Sequence, residues 1–190
     1  MPWANGRGTT LEIAAFPTPD AWTWRLSLAT VTCDGPFSTL DGVDRHIAVA
    51  QGAGMVLRVD DVEHHLGTYE SLSFPGDAET ICTLIDGPQR DLNLMVRRTA
   101  GSGELRVQRC VRGERIAADD VVALVVLDGA VAVSTPSPGF PGTPVRDRAG
   151  RFDAFLADNQ TDDRTHTFAR FGSVATAVVD SVVARVIVKA

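Results

Sequence analysis

The feature that most constrains the fold of this chain is a succession of short apolar segments, each closed by Gly, Pro, Asp or Ser. Segments such as "WTWRLSLATVT", "GMVLRVDDV" and "VVARVIVKA" are rich in Val, Leu, Ile and Thr, and they recur every 8–12 residues or so, roughly the spacing of strands in a sandwich or barrel. The sequence therefore predicts an all-β fold. The dipeptide Asp128-Gly129 between two apolar runs predicts a hairpin, and the spacing of Phe152, Phe155 and Leu156 predicts a helical turn or two over 148–158.

Strand-type segments continue on both sides of the stretch "TAGSGE", close to residue 100. We therefore predict two β-rich halves, residues 1–98 and residues 99–190, which pack as one compact unit. The length of 190 residues is sufficient for a sizeable core.

The charge balance excludes several classes of partner. The net charge is −6 and no basic stripe is present, which disfavours nucleic acid and anionic membrane surfaces. No apolar run is long enough to span a bilayer, and no signal peptide is visible. The three cysteines, Cys33, Cys82 and Cys110, are far apart and odd in number, which predicts buried thiols in a cytoplasmic protein.

Metal and nucleophile motifs are absent from the sequence. His64 and His65 are adjacent, so on a strand they point to opposite faces, and no His pair has the spacing of metal ligands. No GxSxG elbow occurs, and no cysteine has a neighbouring histidine to activate it. We therefore predict no metal, no cofactor and no catalytic residue.

Arginines on strand faces are the strongest polar signal. Arg45 lies on the same strand face as Ile47 and Val49, and a buried arginine needs an anionic partner. Its partner is either an internal carboxylate or a ligand carboxylate, for which guanidinium is a matched donor. Arg25 and Ser27 lie opposite the face of Trp22 and Trp24, so Arg25 points inward only if the tryptophan face is not the interior.

Four blocks of the sequence match a known family in order and spacing. They are W-x-N-G-x-G-x-T from Trp3, W-R-x-S-x-A from Trp24, D-G-P-F-S from Asp34 and D-x-N-x-M-x-R-R from Asp91. Over roughly residues 1–98 the chain resembles the HutD/Ves family. The resemblance implies a bicupin, in which two cupin-like double-stranded β-helix (jelly-roll) barrels are formed by one chain. The HxH motif of metal-dependent cupins is missing near His46, which disfavours their oxygenase or isomerase chemistry.

The resemblance also implies a role in histidine utilisation, through binding of a small carboxylate metabolite such as urocanate or N-formylglutamate. We expect the N-terminal segment to close one side of the first barrel. The predicted ligand-binding residues are Trp3, Asn5, Arg25, Ser27, Arg45 and Asn93. In this hypothesis Trp3 forms a wall, the arginines hold the carboxylate, and Asn5, Ser27 and Asn93 orient the ligand.

Two other functions remain open at this stage. One is a metal-independent enzyme acting on the same acids, with Glu12, Asp77 or Asp91 as general base. The other is a protein-interaction module whose barrels are filled by side chains. A homodimer is also left open, because the sequence marks no interface.

Overall fold

A computed structural model of the chain describes residues 3, 6, 8–117, 121–135, 145–156, 174–177 and 179–189. These residues form β-strands and a single 3-10 turn, Arg98–Ala100, and none of them forms an α-helix. The predicted all-β fold is therefore confirmed. None of the described elements is a helix long and apolar enough to cross a bilayer.

The chain divides into two units. The first, here the N-terminal lobe, comprises Met1–Leu105 and Val188–Ala190, and the second, the C-terminal lobe, comprises Arg106–Ile187. The first nine strands belong to the N-terminal lobe: β1 (Gly8–Phe16), β2 (Trp24–Val31), β3 (Gly35–Pro36), β4 (Val43–Gln51), β5 (Met55–Val59), β6 (Val62–Leu66), β7 (Ser71–Pro75), β8 (Thr80–Leu84) and β9 (Gln89–Arg97).

Two antiparallel sheets form the N-terminal lobe. Their strand orders are β1-β2-β9-β4-β7 and β3-β8-β5-β6. Without the added edge strand β1, these are the two four-stranded sheets of a jelly roll, in which two Greek keys exchange strands between sheets. The chain therefore crosses from one sheet to the other at most of its turns.

The C-terminal lobe repeats this topology with eight strands. The strands are β10 (Ser102–Cys110), β11 (Arg115–Ala117), β12 (Ala123–Asp128), β13 (Val131–Thr135), β14 (Val145–Ala149), β15 (Ala154–Leu156), β16 (Val174–Ala177) and β17 (Ser181–Lys189). The first begins and the last ends a few residues beyond the bounds of the lobe. The sheets have the orders β10-β17-β12-β15 and β11-β16-β13-β14. The cupin-like jelly roll expected from the sequence is therefore present twice.

Each lobe has its own apolar core, which follows from the alternation of side chains along its strands. In the N-terminal lobe the cluster is Val31, Ile47, Val49, Met55, Leu57, Val59, Leu66, Phe74 and Cys82. In the C-terminal lobe the cluster is Cys110, Ile116, Leu124, Val126, Val131, Ala149, Phe155, Ala175, Ala177 and Val183.

Three local predictions were wrong. The strands on either side of Asp128-Gly129 lie in different sheets, so the dipeptide forms a corner and not a hairpin. The segment expected to be helical contains β14 and β15 instead, and a residue between them, Phe152, has φ +68°, which interrupts any helix. Cys33 is exposed, whereas Cys82 and Cys110 are buried as predicted.

Candidate functional site

The N-terminal lobe contains a cavity of about 370 Å³. Residues that alternate along β2 and β9 line it, namely Arg25, Ser27 and Ala29, and Asp91, Asn93 and Met95. Arg45 of β4 joins them because it lies on the same face as the core residues Ile47 and Val49. A volume of this size suits a small metabolite.

Arg45 is the best-enclosed cation of the site. Only 6% of the residue is exposed, and its Cζ lies 4.8 Å from the ring centroid of Phe37 and 5.2 Å from that of Phe74. Its Nη2 donates a 3.0 Å hydrogen bond to Asn93 Oδ1, whereas its buried Nε has no partner. Burial lowers the pKa of Arg45 to about 10, which still leaves it cationic at neutral pH.

Asp91 and Asn93 continue the polar network from Arg45. They are two residues apart on β9, so their side chains share a face, and Asn93 Nδ2 donates to Asp91 Oδ2. Burial raises the pKa of Asp91 to about 7, against the hydrogen bond from Asn93 and the charge of Arg45. Asp91 Oδ1 is buried without a hydrogen-bond partner. The carboxyl is therefore linked to the guanidinium through an amide.

Arg25 is a second cation at the cavity, but it already has an acidic neighbour. Its Nε lies 2.8 Å from Oε2 of Glu12 on β1, an ion pair by distance whose N–H lacks hydrogen-bond geometry. Both side chains are about a quarter exposed, so this pair is weaker than a buried one. Arg25 points into the cavity because the tryptophan face of β2 is the opposite one, where Trp24, Leu26 and Leu28 are buried.

The N-terminal segment forms part of the wall. Trp3 lines the cavity, and its Nε1 donates a 2.7 Å hydrogen bond to Thr10 Oγ1 of β1. The backbone N–H of Trp3 also bonds to the carbonyl of Gly8, at 2.9 Å. A Cβ at Gly8 would collide with the carbonyl oxygen of Thr30 and press on the Trp3 ring, so the segment can dock only with glycine there.

Two further aromatic residues complete the site. Trp22 lies before β2, and its ring is covered by Arg97 at 4.6 Å, with Arg97 Nε bonded to the Trp22 carbonyl. Phe37 is held through its backbone N–H, which donates to the carbonyl of Thr80. The segment between Phe37 and β4 passes close to Gly76, where an added Cβ would lie 2.8 Å from the carbonyl oxygen of Val43.

Five of the six predicted site residues therefore lie around one cavity: Trp3, Arg25, Ser27, Arg45 and Asn93. Asn5 lies outside the described residues. The prediction missed Trp22, Phe37 and Asp91 as cavity residues. Asp91 could have been found, because it shares strand parity with Asn93, and Phe37 belongs to the motif D-G-P-F-S.

The three carboxylates considered as general bases lie in different parts of the N-terminal lobe. Glu12 pairs with Arg25. Asp77 accepts two hydrogen bonds from Arg98, which lower its pKa to about 2, and it lies away from the cavity lining. Only Asp91 among the three lines the cavity. In the described parts of the chain, no three His, Cys, Asp or Glu side chains form a group able to hold a metal ion.

Curated relatives match the chain over about half its length. A 21.2 kDa protein from the hutC 3′ region of Pseudomonas putida is 41% identical over 98 residues, which is 50% of this chain and 52% of that protein. Protein Ves of Citrobacter koseri is 38% identical over 109 residues, 55% of this chain and 56% of its own. The chain thus spans little more than half the length of these relatives.

Solved structures match the whole chain. A conserved protein of unknown function from Pseudomonas aeruginosa PAO1 has 31% identity and a TM-score of 0.79, over 100% of this chain and 93% of its own. HutD from Pseudomonas fluorescens SBW25, described as determined in a formate condition, has 27% identity and a TM-score of 0.68, over 100% and 94%. The sequence profile of the family described as HutD matches residues 1–171. Because this match covers most of the chain, the chain belongs to the HutD family.

Proposed function

We propose that the cavity of the N-terminal lobe binds a small carboxylate metabolite, and that the protein acts as a regulatory receptor in histidine utilisation. The candidate ligands are urocanate and N-formylglutamate. The proposed function needs no metal and no cofactor, and it takes place in the cytoplasm.

The buried guanidinium of Arg45 is the observation that most directly supports the proposal. A guanidinium that is 6% exposed and lines a cavity is costly to bury, and its Nε has no hydrogen-bond partner. Its one side-chain acceptor in the network is the neutral amide of Asn93. A ligand carboxylate would give this cation an anionic acceptor, through a charge-assisted hydrogen bond to the part of the guanidinium that lines the cavity.

The charges of the cavity favour an anion. Glu12 offsets Arg25, and Asp91, with its pKa near 7, only partly offsets Arg45. The described site is therefore neutral to singly positive at neutral pH. The apolar contribution comes from Trp3, Trp22 and Phe37, which could pack against the flat or aliphatic part of a small acid.

The family and the relatives support the histidine-utilisation part of the proposal. One relative is named after the hutC 3′ region of its genome, and a structural relative is named HutD. These names belong to those proteins. For this chain they favour a ligand from the same metabolic context, which the cavity chemistry then restricts to acids.

The test is a thermal-shift and calorimetric panel of urocanate, N-formylglutamate and the uncharged amide of urocanic acid. A specific acid at a hundredfold excess over its Kd should stabilise the protein by about 2.7 kcal/mol, and the amide should not. Arg45→Leu should weaken binding about 10- to 100-fold, as expected for loss of a charge-assisted hydrogen bond. Arg45→Lys, which keeps the charge but loses the planar fork, provides a second variant if Arg45→Leu fails to fold.

Arg58→Leu is the matched control. Arg58 is on β5 and bonds only weakly to the carbonyl of Asp60, at 3.4 Å, away from the cavity lining. It should bind like the wild type. If no acid shifts the melting temperature, the receptor proposal is wrong and the interaction module becomes the better hypothesis.

Asp91 favours a second candidate function, a metal-independent enzyme. A buried carboxyl with a pKa near 7 beside a guanidinium has the properties of a general acid or base. Incubation of the purified protein with each acid, followed by chromatography, separates the two functions, since the receptor returns its ligand unchanged.

A further inference from the structure

Asp91 is a buried carboxyl at the cavity that makes no direct hydrogen bond to a cation. On β9 it pairs with Ala29 of β2 on one side and Val49 of β4 on the other, both apolar. Only 1% of the residue is exposed. Asn93 donates to one carboxyl oxygen, and the other, Oδ1, is buried without a hydrogen-bond partner.

Arg45 and Cys82 interact electrostatically with Asp91, and Arg25 lines the same cavity. Arg45 on β4 attracts the negative charge of Asp91, but Nη2 of Arg45 donates to the Asn93 amide instead. Cys82 on β8 remains a thiol, because burial, together with the charges of Asp91 and Asp34, raises its pKa to about 12. Arg25 on β2 is paired with Glu12 on β1. The protonation state of Asp91 is therefore not fixed by a direct ion pair.

A ligand anion would compete with Asp91 for the same guanidinium. Two carboxylates that share one buried cation repel each other strongly, and the usual outcome is that one of them binds a proton. Asp91 is the better candidate, because burial already favours its neutral form and a ligand carboxylate would take the hydrogen bonds of Arg45. Once protonated, Asp91 gains an O–H donor.

We propose that Asp91 takes up one solvent proton when an acid binds beside Arg45, so that the occupied cavity contains a neutral Asp91 and an anionic ligand. In balanced form, ionised Asp91, one proton and the ligand anion combine to give the complex with a protonated Asp91. This inference rests on the proposed function and assigns to Asp91 the coupling of ligand affinity to pH.

The experiment is isothermal titration calorimetry of the wild type with urocanate and with N-formylglutamate at about pH 8, in phosphate and in Tris. The difference in heat between the buffers gives the number of protons taken up, which should approach one per bound ligand. Across about pH 7.5–9 the Kd should rise towards tenfold per pH unit, as linkage to one ionising group requires. Asp91→Asn should bind with almost no proton uptake and a nearly constant Kd.

Glu63→Gln is the control, because Glu63 is an exposed carboxylate on β6, outside the cavity lining. The Glu63→Gln variant should take up as many protons on binding as the wild type does. Binding of an acid by the wild type with no proton uptake and a constant Kd would overturn the inference while leaving the receptor proposal intact. Unchanged uptake in Asp91→Asn would also overturn it. Absence of binding by both acids would instead overturn the proposed function, and the inference with it.

Discussion

The two lobes share one topology, and even one irregularity, but their interiors differ. In the N-terminal lobe the pairing of β4 with β9 runs Val49 to Asp91 and then skips to Gln51 with Arg90. In the C-terminal lobe the pairing of β12 with β17 runs Val126 to Val183 and then skips to Asp128 with Val182. One extra residue, Ala50 or Leu127, is inserted at the same place.

This shared bulge aligns the lobes residue by residue. Asp91 corresponds to Val183, and Asn93 corresponds to Arg185. Like the Nε of Arg45, the Nε of Arg185 is buried without a hydrogen-bond partner. Val183 is fully buried in the apolar core cluster of its lobe, whereas Asp91 lines a polar cavity. The jelly roll therefore does not determine a polar cavity by itself. A few inward-facing positions decide whether its interior is a core or a site.

The largest expected effect comes from giving the C-terminal lobe the residue of the N-terminal one. Val183→Asp places a carboxyl in a fully buried apolar cluster, where Arg185, two residues along β17, is a cation on the same strand face. The substitution should still lower the free energy of unfolding by about 2–3 kcal/mol. Denaturant unfolding measures the loss. Val179→Asp, at a position that is 41% exposed, should cost less than about 0.5 kcal/mol. A loss below about 1 kcal/mol in Val183→Asp would show that the two interiors tolerate charge alike.

A second effect, of up to about 1.4 kcal/mol per pH unit, distinguishes the lobes through pH. Burial raises the pKa of Asp91 from its ordinary 3.8 to about 7, so between these values the native state holds a proton that the unfolded state has lost. The contribution of Asp91 to the free energy of unfolding is therefore fully present below about pH 4 and is lost as the pH rises to about 7. Relative to Asp91→Asn, the free energy of unfolding of the wild type should fall by up to about 1.4 kcal/mol per pH unit in this window.

Unfolding curves of both proteins at several pH values test this prediction in the absence of ligand. Parallel pH profiles for wild type and Asp91→Asn would contradict it, and would mean that Asp91 titrates normally in the folded protein.

The smallest effect concerns the docked N-terminal segment that forms a wall of the N-terminal lobe's cavity. Trp3→Phe keeps an aromatic ring but removes the hydrogen bond from Nε1 to Thr10, which should cost about 0.5–1.5 kcal/mol of stability. Thermal unfolding measures the change, and Thr10→Val should cost a similar amount. If the double variant lost the sum of both, the two side chains would not be coupled as the 2.7 Å contact requires.

The sequence predicted the strands better than their connections. Alternation and turn residues identified the all-β class, but the chemistry of Asp128-Gly129 does not reveal which sheet the next strand joins. The helical prediction rested on the spacing of Phe152, Phe155 and Leu156. The strand prevailed because Phe155 packs into the core and pairs with Leu124.

The direction of Arg25 could not be predicted for a related reason. A half-buried sheet shows its interior by an apolar face, but both faces of β2 are largely covered, and the more apolar one is not the interior of the barrel. The family motifs identified the positions that carry the polar side chains. The contacts of Arg45 with Asn93 and with the Phe37 and Phe74 rings became visible only when distant strands were brought together.

Contact with Phe37 and Phe74 immobilises the Arg45 side chain before any acid reaches it. Ordering a long flexible side chain on binding usually costs about 0.5–1.5 kcal/mol. Here that entropy is lost when the protein folds, so the small acid proposed to bind beside Arg45 would retain more of its interaction energy as affinity. Rigidity acquired during folding is thus what would let so small a molecule be held tightly.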